Sequence, residues 1–391
     1  MQPIKQQLPI PDDVSLEHSS VLVEKLTERI KQKKGWISFA DYMQFVLYEP
    51  GLGYYSAGTQ KLGKGGDFTT APEISDLFGI SIADYLITAL DGLKSPSILE
   101  IGAGSGQLAL NILSQLETEE FELEQYYILE LSADLKERQQ KLLSQLPGVT
   151  AQVTWLDSLP DNLITGAIIG NEVIDAIPFQ RFKIAGNDIY ELGVSSGSNQ
   201  LYEQEQQPSE ALTESVRLIE QKLGYQLPDQ YQSEVRLNYE DWFRSVSAAL
   251  TQGIMIFIDY GLCRSEYYSP SRSDGTLVCH YQNRAHYEPL LFPGLQDISA
   301  WVDFSLVADN ALNQGCEVFG YTSQMEFLLS SGILGRMDAK HPQDEEYNIN
   351  QSLKQLLLPS QMGEAFKCML LSKNYNLGID NLEAKDYRHM L

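Results

Sequence analysis

The stretch "LEIGAGSGQL", residues 99–108, is the strongest local indication of the fold. A short apolar run (97–101) leads into Gly102, Gly104 and Gly106, and the helical pattern "QLALNILSQL" follows. Glycine lets a backbone turn sharply and lets a ligand approach without a Cβ clash. The stretch therefore predicts a strand, a tight turn and a helix. The turn is either a ligand-binding loop or a βα connection that binds nothing.

The same alternation of apolar strand and helix continues outward from this stretch. The further strand patterns are "YYILEL" (126–131), "AQVTWL" (151–156), "GAIIGN" (166–171) and "GIMIFIDYG" (253–261), and then "CEVFGYT" and "FKCMLLSK" (366–373), the last two predicting a final hairpin. Strands alternating with helices at this spacing predict an α/β protein with a parallel sheet covered by helices on both faces.

The rest of the chain predicts an extension and two insertions. Amphipathic patterns indicate helices over residues 15–34 and 38–48, with Ser38 as the N-cap of the second. We expect a helical extension that covers the ligand site at 1–80 and a catalytic domain at 81–391. Polar or irregular stretches near 195–250 and 261–300 predict insertions in that domain.

Composition narrows the classes of function. The formal charge of −25 argues against phosphate-backbone binding, which needs clustered Lys and Arg. The four Cys are scattered without a CxxC pair, so neither a disulfide framework nor a metal site is predicted. No apolar run reaches the roughly 18 residues of a membrane span. The N-terminus lacks an apolar signal core and carries Asp12, Asp13 and Glu17, so we expect a cytoplasmic protein.

The spacing of the glycines distinguishes between cofactors. The dinucleotide fingerprint GxGxxG, starting at Gly102, requires a third glycine at position 107, where this chain has Gln. Glu100 followed by GxGxG instead resembles the first motif of S-adenosylmethionine (SAM) methyltransferases. Glu130, at the end of the second strand, can accept both ribose hydroxyls of an adenosine, a feature that NAD enzymes share; a solvated strand end is the alternative. Asp157 and Ser158 follow the third strand and are either adenine neighbours or turn residues.

Several short motifs that occur together and in order along the chain resemble those of a known family. They are "GYYS", "GDFTTAPEIS", "LEIGAGSGQLA", "YYILELS", "GNEVIDAIP", "IDYG", "GTLVCHY", "FPGLQDISAWVDF" and "SQMEFLLSSGI". Together they resemble the SAM-dependent methyltransferase family of the mitochondrial complex I assembly factor MidA and its bacterial relatives, from about residue 16 to the C-terminus. The resemblance implies a class I (Rossmann-like) fold with seven strands in the order 3-2-1-4-5-7-6, and a protein arginine as the methyl acceptor.

The fourth strand places three polar residues at the expected ligand edge of the sheet. Asn171, Glu172 and Asp175 follow "GAII", and ligands of open α/β sheets bind outside the carboxyl ends of the strands. Asn171 is expected beside SAM. A guanidinium is always charged and binds carboxylates bidentately, so Glu172 is predicted as its clamp and Asp175 as the partner. The alternative is that Asp175 caps a turn and Glu172 orders the loop.

Two further segments are expected near this site. The segment "GGDFTTAPEIS" is predicted to fold over SAM, with Gly65 and Gly66 allowing close approach and Thr70 and Pro72 lining its methionine end; a plain helix start is the alternative. Asp259, with Tyr260, either shapes the acceptor pocket or is a solvated strand end.

Three functions are compatible with these residues. The first is a protein arginine methyltransferase acting on a subunit of a respiratory or other complex. The second is a SAM-dependent methyltransferase of a small molecule or of another protein residue. The third is a non-catalytic, SAM-binding assembly factor. An NAD oxidoreductase is disfavoured by Gln107. The oligomeric state stays open between a monomer and a homodimer.

Overall fold

The computed structural model describes residues 8–57, 69–146, 153–197, 200–338, 343–376 and 385–391. Strands and helices are numbered along the chain. The strands are β1 (Trp36–Ser38), β2 (Ser97–Ile101), β3 (Gln125–Leu129), β4 (Val153–Leu156), β5 (Ile164–Asn171), β6 (Gln180–Ala185), β7 (Asp188–Gly197), β8 (Gln200–Gln206), β9 (Gln232–Val235), β10 (Leu250–Leu262), β11 (Val278–Tyr281), β12 (Arg284–His286), β13 (Asp297–Ser299), β14 (Val302–Asp303), β15 (Glu317–Ser323) and β16 (Phe366–Lys373).

Helices occupy much of the remaining described chain. They are α1 (Asp13–Gln32), α2 (Phe39–Tyr48), α3 (Ala71–Ile74), α4 (Asp76–Leu90), α5 (Gln107–Thr118), α6 (Ala133–Leu143), α7 (Glu210–Leu223), α8 (Tyr239–Ala249), α9 (Arg264–Tyr267), α10 (Phe304–Asn313), α11 (Gln324–Ser330), α12 (Gln343–Leu357) and α13 (Met362–Ala365), with short 3-10 helices at Ile333–Asp338 and Arg388–Met390.

The chain divides into two compact units, each built from three segments. The first unit is Met1–Thr69, Ala176–Leu237 and Tyr268–Ala300, and the second is Thr70–Asp175, Asn238–Tyr267 and Trp301–Leu391. This division differs from the predicted boundary at residue 80. Its physical reason is non-local pairing, because β1 of the N-terminal segment pairs with β7. The N-terminal segment therefore shares a sheet with the insertion instead of forming an extension of its own.

The second unit contains the predicted α/β sheet. Its strands lie in the order β15-β16-β10-β5-β2-β3-β4, and β14 also pairs with β10. From β10 to β4 the neighbours are parallel, whereas β16 runs antiparallel to both β10 and β15. The α/β class is therefore confirmed. The sheet has eight strands where seven were expected. Strands β15 and β16 pair antiparallel, as predicted for the final hairpin, and α11 to α13 connect them.

Apolar side chains from the central strands and the flanking helices form the core around this sheet. The central strands β2 and β10 are buried on both faces, so they read as near-continuous apolar runs. Ile98, Ile169 and Ile256 pack in one cluster with Phe78 of α4 and Ile112 of α5. Burial of such side chains stabilises a fold by about 1.5–3 kcal/mol each.

The first unit has a small core and two sheets of its own. A five-stranded sheet has the order β1-β7-β6-β9 with β8 on β7, and a three-stranded sheet has the order β12-β11-β13. Leu22, Leu26 and Ile30 lie one turn apart on α1 and are fully buried. The predicted helices at 15–34 and 38–48 are confirmed as α1 and α2, and Ser38 Oγ accepts a hydrogen bond from the N–H of Asp41. The insertion strands were not predicted.

Candidate cofactor and acceptor site

The predicted glycine turn lies between β2 and α5 in the second unit. Gly102, Gly104 and Gly106 have φ of 66°, 55° and 89°, and Gly106 is the N-cap of α5. Residues with a Cβ rarely adopt this left-handed conformation, which accounts for the three glycines. We call residues 102–106 the glycine turn. It leads into the N-terminal N–H groups of a twelve-residue helix, an arrangement suited to a polar ligand.

Glu130 lies directly after β3, which is the parallel neighbour of β2. Its side chain is buried, not solvated, and its Oε1 accepts a hydrogen bond from the N–H of Ser132 at 2.9 Å. Its Oε2 accepts one from Nε2 of Gln139 at 3.0 Å. Burial raises the pKa of Glu130, and these two donors act in the opposite direction.

Glu100 is a second buried carboxyl, on β2 itself. The hydroxyl of Tyr126 donates to its Oε2 at 2.6 Å. Burial raises the pKa of Glu100 to about 7, with the nearby charge of Glu130 adding to the rise. Glu100 was read only as part of the motif, and its burial follows from the position of β2 at the centre of the sheet.

Asp157 and Ser158 directly follow Leu156, whose carbonyl accepts a hydrogen bond from the N–H of Glu130 at 3.2 Å. Both are exposed beyond the end of β4, and Asp157 forms a 3.5 Å ion pair with Lys136 of α6. They lie at the same edge of the sheet as Glu130, because β3 and β4 are parallel. Their adenine contact stays a prediction.

The segment that contains Thr70 and Pro72 contacts both the glycine turn and the end of β5. Thr70 precedes α3 without a side-chain cap, and Pro72 is buried. Ser105 Oγ donates to the carboxylate of Glu73 in the first turn of α3, so this side chain contacts the glycine turn. Ser75 separates α3 from α4, and its side chain caps α4. Gly65 and Gly66 lie outside the described residues.

The end of β5 forms the second part of the site. We call Glu172–Asp175 the strand-end loop. Glu172 has a φ of 52°, a conformation that costs a residue with a Cβ about 1–3 kcal/mol. Its N–H donates to the carbonyl of Ile258 at 2.8 Å, and its Oε1 accepts from the N–H of Ala71 at 3.3 Å. The strained loop is thus held by hydrogen bonds from two directions.

Asp259 of β10 anchors the strand-end loop. It is fully buried, and its Oδ2 accepts from the N–H of Ile174 at 2.9 Å and of Asp175 at 3.1 Å. Burial raises its pKa well above the usual value, and the charges of Asp175 and Glu172 add to this rise. The alternative of a solvated strand end for Asp259 is therefore wrong. The hydroxyl of Tyr260 donates to Oδ2 of Asp175 at 2.8 Å.

Asn171 supplies a test of whether this site fits a polar ligand. Its Nδ2 donates to Oε1 of Glu172 at 3.3 Å, whereas its buried Oδ1 has no hydrogen-bond partner among the described residues. A buried acceptor without a partner costs free energy, so a native site normally provides a donor for it. The glycine turn, Glu130 and Asn171 line one edge of the parallel strands and together fit the adenosine and amino-acid parts of SAM.

The site contains contacts that the sequence alone did not reveal. These involve Glu73 with Ser105, Gln139 with Glu130, and the anchoring of the loop by Asp259. The burial of the apolar run before Asp259 was the available signal for that anchor. The other contacts join residues far apart in sequence and have no local pattern. Among the described residues, no group of three or more His, Cys, Asp or Glu side chains could hold a metal ion.

This edge of the sheet is where open α/β folds bind their ligands, and the comparison with a known family identifies the enzyme class. A sequence model of a family of SAM-dependent methyltransferases matches residues 81–322, and the chain belongs to this family.

Solved structures and curated relatives extend the comparison. A crystal structure of a Burkholderia thailandensis protein bound to S-adenosyl-homocysteine is 37% identical, covers 98% of this chain and 100% of that chain, and has a TM-score of 0.92. A native structure from the same organism is 36% identical, with the same coverage and a TM-score of 0.90. The Drosophila melanogaster protein arginine methyltransferase NDUFAF7 homolog is 28% identical over 95% of this chain and 89% of its own length. The Caenorhabditis elegans homolog is 27% identical over 94% and 90%.

These relatives confirm the predicted family, enzyme class and cofactor, and they correct one prediction. The curated relatives are named as mitochondrial proteins, so the prediction of a cytoplasmic protein is wrong. The basis of that prediction was an N-terminus without an apolar signal core and with Asp12, Asp13 and Glu17, and these local features do not determine the compartment. No helix among the described residues is long and apolar enough to cross a membrane.

Proposed function

We propose that this SAM-dependent methyltransferase transfers methyl groups to an arginine of a protein, with a subunit of a respiratory complex as the candidate acceptor. The observation that carries the proposal is the cluster of carboxyls at the end of β5. Asp259 on the neighbouring strand β10 accepts from the N–H of Asp175 at 3.1 Å, and the N–H of Glu172 donates to Ile258, the residue before Asp259. Consistent with this proximity, the charges of Asp175 and Glu172 add to the raised pKa of Asp259. The names of the curated relatives as protein arginine methyltransferases support the same acceptor.

The carboxyl cluster favours a cationic acceptor on electrostatic grounds. Like charges held together in a partly buried loop repel one another, and a cation entering the loop relieves that repulsion. A guanidinium has a pKa far above neutrality, so it carries its charge at every physiological pH and offers N–H donors in a planar fork. Carboxylates at its edge bind it through charge-assisted hydrogen bonds.

The residues of the chain then have distinct roles. The glycine turn, Glu130 and Asn171 hold SAM, which when bound supplies a methyl group on a sulfonium. Thr70 and Pro72 cover its amino-acid end, and Asp157 and Ser158 lie beside the adenine. Glu172 orients the guanidinium and takes up its proton, while Asp175 is the second acceptor. Orientation of this kind is the main catalytic contribution that a displacement reaction needs.

The geometry of the sheet supports a finer assignment of the fold. We infer that β4, β3, β2, β5, β10, β16 and β15 correspond in that order to strands 3-2-1-4-5-7-6 of the class I methyltransferases. Under this assignment β14 is an addition at β10, and the glycine turn and strand-end loop follow strands one and four. Neighbouring strands with this relation form the switch point at which α/β sheets bind ligands.

The test is labelled methyl transfer from SAM into a lysate of cells that lack the protein, followed by mass spectrometry of labelled peptides. The expected result is label on arginine of one or a few proteins. Label on lysine or on a small metabolite would mean that the acceptor is not a protein arginine. A protein that binds SAM in calorimetry and labels nothing would be an assembly factor without turnover.

A further inference from the structure

Gln139 of α6 connects the three strands that carry the cofactor side of the site. Its side chain is completely buried. Nε2 donates to the carbonyl of Gly104 at 2.9 Å and to Oε2 of Glu130 at 3.0 Å, and Oε1 accepts from the indole of Trp155 at 2.9 Å. One side chain thus joins the glycine turn after β2, the acidic residue after β3 and an aromatic residue of β4.

The chemistry of the three partners fixes the orientation of this amide. An indole N–H is only a donor, and a carbonyl and an ionised carboxylate are only acceptors. A reversed amide would place its oxygen against Gly104 and Glu130 and its nitrogen against Trp155. Both hydrogens on Nε2 are used in the observed orientation, so Gln139 is committed to these contacts.

Gln139 also packs against the glycine turn itself. A Cβ added to Gly106 would lie 3.2 Å from Cγ and 3.3 Å from Cα of Gln139. The close approach leaves little room for the turn or the helix to shift. Packing on Gly106 and the hydrogen bond to Gly104 therefore hold both halves of the turn to α6.

We propose that Gln139 is a positioning residue that sets the Glu130 carboxylate for the ribose hydroxyls and holds it in register with the glycine turn. The proposal rests on the cofactor site proposed above, in which Glu130 accepts those hydroxyls. Each carboxylate oxygen has two lone pairs, so the bonds from Ser132 and Gln139 leave acceptor capacity while fixing the plane of the carboxylate.

The test compares the affinities of the full-length protein for S-adenosyl-homocysteine and for its 2′-deoxyribose analogue by calorimetry. Wild-type protein is expected to prefer the unmodified ligand. Gln139→Met keeps the volume and removes the hydrogen bonds, and we expect it to weaken S-adenosyl-homocysteine binding about tenfold, the loss expected for a displaced charge-assisted hydrogen bond. The ratio of the two affinities should fall toward one.

Matched variants separate positioning from general damage. Gln140→Met makes the same change at the exposed neighbouring position of α6 and should leave both affinities as in wild type. Trp155→Phe keeps an aromatic ring and removes only the hydrogen bond to Oε1 of Gln139. It should therefore lower the ratio of the two affinities less than Gln139→Met does. If circular dichroism finds Gln139→Met unfolded, Trp155→Phe decides the question.

The outcomes distinguish the failure of each proposal. If Gln139→Met leaves the ratio of the two affinities unchanged, whether or not both affinities fall, the positioning role is overturned and the Glu130 assignment stays intact. A wild-type protein that binds both ligands equally would overturn the ribose role of Glu130 and with it the role of Gln139. The arginine acceptor is tested separately, by methyl transfer.

Discussion

The backbone N–H of Asp175 donates to Oδ2 of Asp259 at 3.1 Å, and this bond joins the strand-end loop to the neighbouring strand β10. The same oxygen accepts from Ile174, and Oδ1 of Asp259 accepts from the N–H of Tyr260. A fully buried carboxyl thus organises the residues proposed to hold the acceptor. It contacts the loop through the backbone N–H groups of Ile174 and Asp175, so we expect it to position the loop and not to bind the acceptor.

Replacing Asp259 should therefore impair turnover more than cofactor binding. Asp259→Asn turns one acceptor into a donor facing an N–H group, and we expect a loss of about 1–3 kcal/mol in the free energy of unfolding. Asp259→Ala leaves all three donors unpaired and should cost more. Urea unfolding measures this order. S-adenosyl-homocysteine affinity should stay near wild type in Asp259→Asn while methyl transfer falls; equal losses in both would contradict a role confined to the loop.

A side chain in the glycine turn should block cofactor binding by occupying the cofactor's space, and this effect can be separated from backbone strain. Gly104→Val places a β-branched residue at a φ of 55°, and Gly92→Val does the same at 85° in open space. Both variants should lose about 1–3 kcal/mol of stability in urea unfolding. In calorimetry only Gly104→Val should lose S-adenosyl-homocysteine binding, by about 100-fold or more.

Two outcomes of that comparison would count against the assigned site. Gly92 lies before β2, at the opposite edge of the sheet from the glycine turn, so loss of binding in both variants would mean that strain alone is responsible. Binding of NAD in preference to SAM by wild-type protein would mean that the glycine turn holds a different cofactor.

Glu100 should make the stability of the protein depend on pH. Its pKa is raised by burial to about 7, from an ordinary value of 4.5. The folded state therefore binds the proton more tightly than the unfolded chain, and stability falls as pH rises from about 4.5 through about 7. A rise of this size corresponds to about 3 kcal/mol at most.

The variant Glu100→Gln isolates this effect, because it keeps an acceptor for the Tyr126 hydroxyl and has no proton to lose. Urea unfolding of wild type and variant between pH 5 and pH 8 is the measurement. The variant should gain stability relative to wild type as pH rises across the range. A constant difference between the two proteins would mean that Glu100 titrates as an ordinary carboxyl.

Local sequence was sufficient to predict the parts of the fold that local physics determines. The β2–turn–α5 unit follows from glycines that only a left-handed turn requires, and the buried strands β10 and β16 follow from their apolar runs. Strand β8 could not be predicted this way: its residues, "QLYEQEQ", are exposed or half-buried, so no apolar pattern marks it. The pairing of β1 with β7 is non-local, which is why the boundary at residue 80 differs from the observed division.

The candidate site shows the same contrast. Gly102, Glu130 and Asn171 were predicted as cofactor-binding residues because they lie at strand ends, where ligands of parallel sheets bind, and their contact with SAM stays a prediction. Glu73 was read as part of a helix start, but its carboxylate accepts from Ser105, about thirty residues away in the chain. A helix-start pattern indicates which residue types are present but not which group each side chain contacts. The contact with Ser105 is tertiary and has no local pattern.

We propose above that the strand-end loop holds an arginine acceptor through Glu172. The most direct measurement is the rate of methyl incorporation from SAM into arginine in a lysate of cells lacking the protein, for wild type, Glu172→Gln and Glu122→Gln. Glu122 is exposed before β3, at the opposite edge of the sheet, so its variant should match wild type. We expect Glu172→Gln to lower the rate about 100-fold or more with unchanged S-adenosyl-homocysteine affinity, because it removes a charge that acts on the acceptor. Arginine methylation by Glu172→Gln at the wild-type rate would contradict the account.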